Sequence, residues 1–260
     1  TGPNNTQSAP WGGALATNRG SRIRSTLISN ATKPFVIASK GDAGNYKSFN
    51  YNHCDIRDLQ IQIAVDGNSK MTVGGLGFKK ASNLYVDNVT IFPFNQNLVT
   101  LGSPLNNIIG VEMPEAQCDF LGILHNVEVG GFETGVRMGE HSYVDLVDVV
   151  CAVYGYEYTG SYTPSHALRL QANGVKNWLY FTGRTGIEVN DDSFINIELI
   201  LGETALDTGK WWEYEYVILD PNNYGLGKIT YYVIDNTYHK SGGTKLTITS
   251  FFNGYCSCKK

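Results

Sequence analysis

The stretch VDNVTI at residues 86–91 recurs in altered form along much of the chain. It alternates apolar and polar residues around a central Asn88. The related stretches are IRDLQI at 56–61, LHNVEV at 124–129, LVDVVC at 146–151, VKNWLY at 175–180 and a weaker IELIL at 197–201. Alternation of this kind is typical of a β-strand with one buried face. The repetition therefore indicates a molecule that builds one strand several times.

The polar position of each copy sets the spacing of the repeat. These positions are Asp58, Asn88, Asn126, Asp148, Asn177 and, in the weak copy, Leu199. The intervals are 30, 38, 22, 29 and 22 residues. Such irregularity argues against a tandem array of fixed period and favours a solenoid whose turns share a core strand but differ in loop length.

A second short apolar segment precedes each of the later copies. Its instances are GLGF at 75–78, GVEM at 110–113, GVRM at 135–138, ALRL at 167–170 and GIEV at 186–189, and FVI at 35–37 fits as the first. No segment as long as a typical helix shows a helical spacing of apolar residues. The connections are also too short to contain crossover helices. The sequence predicts an all-β fold, a right-handed parallel β-helix with a small C-terminal antiparallel β cap.

In that fold the Asn and Asp residues stack at a corner about 4.8 Å apart and hydrogen-bond one another. Asp58 and Asp148 are therefore predicted to be scaffold residues rather than catalytic acids. Residues 1–30 are predicted to form an N-terminal lead-in or cap, residues 31–202 the β-helix, and residues 203–260 the cap or a trimerisation region. Solenoid ends are exposed strand edges, so both need covering.

Composition narrows the function classes. The formal net charge is −4 with no Lys/Arg block, which argues against nucleic acid as a partner. No apolar run is long enough to span a membrane, and no signal peptide is visible at the start. The five cysteines are an odd number without a framework pattern, which favours synthesis in a reducing cytoplasm. We expect no cofactor and no metal site.

The segment GSRIRSTLISNATKPFVIASKG at 20–41 and the N-V-x-I strands at 88–91 and 126–129 carry a family resemblance. Over about residues 20–202 the chain resembles the pectin lyase-like β-helix superfamily, and especially bacteriophage tailspikes and appendages. The resemblance implies a homotrimer on a virion tail, made in the host cytoplasm, that binds and often cleaves a bacterial surface polysaccharide. The calcium-binding acidic cluster and the arginine motif of pectate lyases are missing. Asp191 and Asp192 are similar to the paired aspartates of polygalacturonases, but the motifs that follow those aspartates in that family are missing.

Because core packing fixes the inward residues, function is expected on outward positions and inserted loops. The second segments place outward charges at Glu112, Arg137, Arg169 and Glu188, which form either a solvated ladder of ion pairs or a groove that binds acidic sugars. Glu140, Asp145, Glu112 and Glu188 are the candidate catalytic residues. The arginines, His141, Tyr154, Tyr156 and Tyr158 are the candidate substrate-binding residues, with the tyrosines on a predicted protruding loop at 153–167.

The leading hypothesis is a tailspike-type protein that binds, and depolymerises by hydrolysis rather than β-elimination, a bacterial surface glycan. One alternative is an adhesive or structural virion appendage without catalysis. The other is a secreted polysaccharide lyase or hydrolase that acts as a monomer. The native mass distinguishes the monomeric secreted enzyme from the two virion proteins. The release of new sugar ends from a host glycan distinguishes the depolymerising tailspike from the appendage without catalysis.

Overall fold

The computed structural model describes residues 21–28, 34–39, 53–64, 72–79, 81, 83–93, 108–114, 121–139, 142–150, 152–159, 167–173, 175, 177–182, 195–201, 216–219, 229–235 and 252–253. Within these residues the protein is all-β, with no helix. The strands belong to two parallel sheets. The chain visits the two sheets alternately, so we name them the odd sheet and the even sheet.

The odd sheet contains the longer strands. They are β1 (Ser21–Ser25), β3 (His53–Ile63), β5 (Asn83–Pro93), β7 (Leu121–Gly130), β9 (Ser142–Val150), β11 (Ala167–Asn173), β13 (Ile195–Leu201) and β15 (Ile229–Asp235). The even sheet consists of β2 (Phe35–Ala38), β4 (Gly74–Gly77), β6 (Ile109–Glu112), β8 (Thr134–Met138), β10 (Tyr154–Tyr158), β12 (Asn177–Phe181), β14 (Tyr216–Leu219) and β16 (Phe252–Asn253).

The register confirms the first copies of the repeat. Val86 lies opposite Ile56 on one side and Leu124 on the other, and Leu124 lies opposite Val144. Every strand pair in both sheets is parallel. The expectation of an all-β, parallel architecture is therefore confirmed.

A corner divides β3, β5, β7 and β9. Asp58, Asn88 and Asn126 adopt left-handed backbone conformations, with φ of 52°, 55° and 53°. Asn and Asp tolerate this region better than most residues because their short polar side chains hydrogen-bond locally. Val86 and Val89 on either side of the corner both point into the core and are fully buried. Strict alternation would place them on opposite faces, so the left-handed residue resets the inward face.

The corner side chains form the predicted ladder. The Asn88 Nδ2 donates to Asp58 Oδ1 at 2.5 Å, and the Asn126 Nδ2 donates to Asn88 Oδ1 at 3.3 Å. In β9 the ladder ends, because the left-handed residue there is Leu146, with φ of 51°. Asp148 lies beyond the corner, opposite Glu128. The prediction that Asp148 is a corner residue is therefore wrong by two positions.

The core lies between the two sheets, which approach each other closely at a column of glycines in the even sheet. A Cβ on Gly135 would lie 2.2 Å from Val149 Cγ1, and one on Gly110 would lie 2.2 Å from Val129 Cγ1. One coil earlier, Gly75 has the same relation to Ile91. Only glycine permits contacts this close, so the column fixes the spacing between the sheets.

The later repeats differ from the prediction. The segment 154–158, expected in a protruding loop, is strand β10 of the even sheet. This extra strand shifts the assignments that follow: ALRL at 167–170 lies in the odd sheet, and Asn177 begins a strand of the even sheet instead of standing at a corner. An apolar-x-apolar pattern occurs in strands of both sheets, so the sequence pattern could not distinguish them.

The described strands of the C-terminal segment also correct the prediction. β14 pairs in parallel with β12, β15 with β13, and β16 with β14. An antiparallel arrangement is therefore wrong for these strands, which extend both sheets. The proposed domain boundaries at residues 30 and 202 stay predictions.

Candidate functional site

Successive strands of the even sheet place charged residues side by side on its outer face. Glu112 of β6 lies opposite Arg137 of β8, and Arg137 lies opposite Glu157 of β10. Tyr180 of β12 follows Glu157 in register. Equivalent residues of neighbouring parallel strands are about 4.8 Å apart, so these side chains are close neighbours. We call Glu112, Arg137, Glu157, Thr134, Tyr154 and Tyr180 the Arg137 cluster.

Arg137 bridges the two carboxylates. Its Nε donates to Glu157 Oε2 at 2.8 Å, and its Nη1 donates to Glu112 Oε1 at 3.2 Å. The Thr134 hydroxyl donates to the same Glu157 oxygen at 3.3 Å. The site therefore contains one guanidinium held between two acids, with the hydroxyl fixing one of them.

Burial differs within this triad. The Glu112 and Glu157 side chains are 10% and 7% exposed, whereas Arg137 is 28% exposed. Burial on its own lowers the pKa of Arg137, but the charges and hydrogen bonds of Glu157 and Glu112 outweigh it and raise the pKa. The guanidinium thus stays charged, and Arg137 is the most exposed side chain of the triad.

Two tyrosines extend the cluster. The rings of Tyr154 and Tyr180 stack with centroids 4.7 Å apart and an interplanar angle of 22°, and both are partly exposed. Burial, and then the neighbouring Tyr154 and Glu157, raise the pKa of the Tyr180 phenol. The phenol therefore stays protonated and can donate a hydrogen bond at neutral pH.

The other two candidate tyrosines are part of the core. Tyr156 is fully buried and donates its hydroxyl to the Val147 carbonyl at 2.9 Å, and Tyr158 is 3% exposed. Their expected contact with a substrate is therefore wrong. Tyr156 and Glu157 are adjacent in β10, so their side chains point to opposite faces of the strand.

The outer face of the odd sheet contains a second polar group. Asp145 lies opposite His125, and His125 Nδ1 is 3.3 Å from Asp145 Oδ2. On β3, the Arg57 guanidinium lies 4.6 Å from the centroid of the Tyr85 ring and its Nε donates to Asp55 at 2.7 Å. These side chains are more exposed than the acids of the Arg137 cluster.

The structure brings together some of the predicted site residues. Glu112 and Arg137 are neighbours, as predicted, and Tyr154 joins the same cluster by stacking on Tyr180. Arg169, expected beside Arg137, has its backbone in β11 of the odd sheet, because β10 takes the place assigned to it. Asp145 is on the odd sheet, away from this cluster. Glu140, His141 and Glu188 lie outside the described residues.

Glu157 is the member of the Arg137 cluster that was not predicted from the sequence as a site residue. Its segment YGYEY aligns with TGVRM at 134–138, with Gly155 at the position of Gly135 and Glu157 at the position of Arg137. The shared glycine was the available signal. Four tyrosines between 154 and 162 instead suggested a surface loop.

Within the part of the chain that the structure covers, no three His, Cys, Asp or Glu side chains are grouped to hold a metal ion. The same residues include no helix long and apolar enough to cross a membrane. Comparisons with family models, curated proteins and solved structures find no match to this chain.

Proposed function

We propose that the chain is a right-handed parallel β-helix whose outer even-sheet face binds a polysaccharide of a bacterial surface. Two observations support the fold part of this proposal. The chain alternates between two parallel sheets, and each return adds the next strand in order. Connections between parallel strands of one sheet are right-handed in about 98% of cases.

The stacked pair Tyr154 and Tyr180 beside Arg137 carries the functional part of the proposal. Aromatic rings offer a flat apolar face to a sugar ring, and their hydroxyls offer a hydrogen bond. The triad next to them holds its guanidinium in one geometry, since two carboxylates fix it. A preorganised polar group beside an aromatic platform lowers the entropic cost of binding a flexible glycan.

The burial of the triad favours binding over cleavage at this face. A catalytic acid must reach the glycosidic oxygen, and a catalytic base must reach water or the anomeric carbon. The side chains of Glu112 and Glu157 are at most 10% exposed, and each accepts a hydrogen bond from Arg137. We therefore assign them a role in positioning Arg137 and the platform.

The biological setting is proposed from the resemblance to phage tailspikes and appendages. In this setting the protein is a homotrimer of a virion tail that attaches to its host through the glycan. The native mass tests the assembly, and a strict monomer would count against it.

Binding is tested with polysaccharides extracted from a panel of bacterial strains and immobilised for surface plasmon resonance. We expect at least one extract to bind, and Tyr180→Ala to weaken that binding roughly 3- to 10-fold, as loss of one aromatic contact does. Tyr85→Ala, on the odd sheet, is the matched control and should bind as the wild type does. No binding by any extract, or an equal loss in both variants, would refute the proposal.

A second candidate function, cleavage of the bound glycan, is favoured by the His125–Asp145 pair on the odd sheet. A carboxylate hydrogen-bonded to Nδ1 orients an imidazole so that Nε2 can accept a proton. Both side chains are accessible, at 40% and 52% exposure. New reducing ends from a binding extract, lost in His125→Ala and kept in His53→Ala, would establish it. Unchanged release from His125→Ala would exclude this pair.

A further inference from the structure

The outer face of the even sheet contains an in-register column of residues that begins before the Arg137 cluster. Gly77 of β4 lies opposite Glu112, which lies opposite Arg137. The column continues through Glu157 to Tyr180 of β12. Residues in register on neighbouring parallel strands point to the same face of the sheet, so position 77 belongs to the surface that presents Arg137 and Tyr180.

The ring of Phe35 fills the first position of this column. A Cβ on Gly77 would overlap the ring, and a Cβ on Gly74 would lie 2.5 Å from Phe35 Cδ1. The ring therefore lies against the backbone of β4 at these two positions, where only glycine leaves room for it. Phe35 comes from β2, where it lies opposite Gly74, and it is half-buried. Because one side of the ring packs on the glycines, its accessible surface is on the outer side.

The column is thus aromatic at both ends and polar between them. The Phe35 ring lies over β4, and Tyr180 lies on β12, four strands further along the sheet and about 19 Å away. Between these rings, the side chains of Glu112, Arg137 and Glu157 are at most 28% exposed. We call the surface from the Phe35 ring to Tyr180 the even-sheet strip.

Resting on the proposed function, we infer that one glycan chain binds lengthwise along the even-sheet strip, across the strands, with separate sugar units on Phe35 and on the Tyr154–Tyr180 pair. Both ends offer the flat apolar face on which a sugar ring can pack. A single sugar unit cannot reach from one end to the other, whereas an extended chain makes the second contact without a second association step. The strip therefore selects long, extended glycans over short fragments.

The inference is tested on fragments of one extract that binds the wild-type protein. Partial hydrolysis and size fractionation give two sets of fragments, with extended lengths well below and well above about 19 Å. Short fragments are expected on the tyrosine pair, where Arg137 adds hydrogen bonds, so Tyr180→Ala should weaken the binding of both sets. Phe35→Ala should weaken the binding of long fragments roughly 3- to 10-fold, as loss of one aromatic contact does, and leave short fragments unaffected.

Two conservative variants separate a binding role of Phe35 from a role in packing. Phe35→Leu keeps an apolar cover on the two glycines but loses the flat ring, so it should resemble Phe35→Ala toward long fragments. Phe35→Tyr keeps the ring and should bind both sets as the wild-type protein does. Circular dichroism of each variant verifies the fold, and if Phe35→Ala does not fold, Phe35→Leu provides the measurement.

Two results would overturn the inference while glycan binding itself stands. One is wild-type affinity of Phe35→Leu for long fragments, and the other is an equal loss for short and long fragments. If no extract binds the wild-type protein, the proposed function fails and the inference fails with it.

Discussion

Leu146 occupies a corner position at which the three preceding odd-sheet strands have Asp58, Asn88 and Asn126. Its φ of 51° is unfavourable for leucine, and the residue is 52% exposed. It lies opposite Asn126, because the residues before and after it pair with His125 and Val127. We predict that Leu146→Asn stabilises the protein. The substitution replaces a strained apolar residue by one that suits the conformation and can extend the amide ladder.

The magnitude follows from three contributions. Asparagine relieves about 1 kcal/mol of left-handed strain. A new ladder hydrogen bond adds about 1 kcal/mol. Loss of the half-buried leucine surface costs about 1 kcal/mol. The net gain in the free energy of unfolding is about 1 kcal/mol, which corresponds to a rise in Tm of roughly 2–4 °C for a chain of this length.

Urea denaturation followed by circular dichroism measures this gain. Leu27→Asn is the control, since Leu27 is also exposed, at 40%, but has no positive φ; this variant should be neutral or slightly less stable. Leu146→Gly relieves the strain without the hydrogen bond, and it should fall below Leu146→Asn. If Leu146→Asn lowers the urea midpoint as much as or more than Leu27→Asn, the assignment of the corner is wrong.

Three further substitutions test the scaffold. Asn88→Ala removes both ladder hydrogen bonds and leaves alanine at a φ of 55°, so it should lower the free energy of unfolding by about 2–3 kcal/mol. In the same urea titration, the control Asp87→Ala should lower this free energy far less. Tyr156→Phe leaves the buried Val147 carbonyl without its phenol donor and should lower the free energy of unfolding by about 1–2 kcal/mol. Amide hydrogen exchange in β9 and β10 should become faster, and unchanged exchange would contradict the prediction. Gly135→Ala forces a methyl group against Val149 and should lower the free energy of unfolding by about 1–3 kcal/mol or more. Gly122→Ala places its methyl group against the flexible end of Met113 and should lower it less. A lower melting temperature for Gly122→Ala than for Gly135→Ala would refute the close approach of the sheets.

The sequence was sufficient for the repeated strands and for most of the corner. Alternation predicts the inward side chains on either side of Asn88, within 84–86 and within 89–91, and the recurring Asn or Asp between them marks a corner that a hydrogen-bonded ladder can support. These are local properties, so they are readable from each copy alone. Together with the repetition, they predicted parallel strands and the contacts of Asp58, Asn88 and Asn126.

The triad at Arg137 needed the tertiary structure. A strand pattern does not say which sheet a strand joins, and the additional strand β10 exchanged the sheets of the segments after it. Arg137 consequently meets Glu157 instead of Arg169, so the expected pair of arginines is replaced by one guanidinium held between two mostly buried carboxylates. Neighbouring residues in a sheet are determined by the register between strands, which here are about 20 residues apart in the sequence. Packing across the core sets that register, so neither strand alone reveals it.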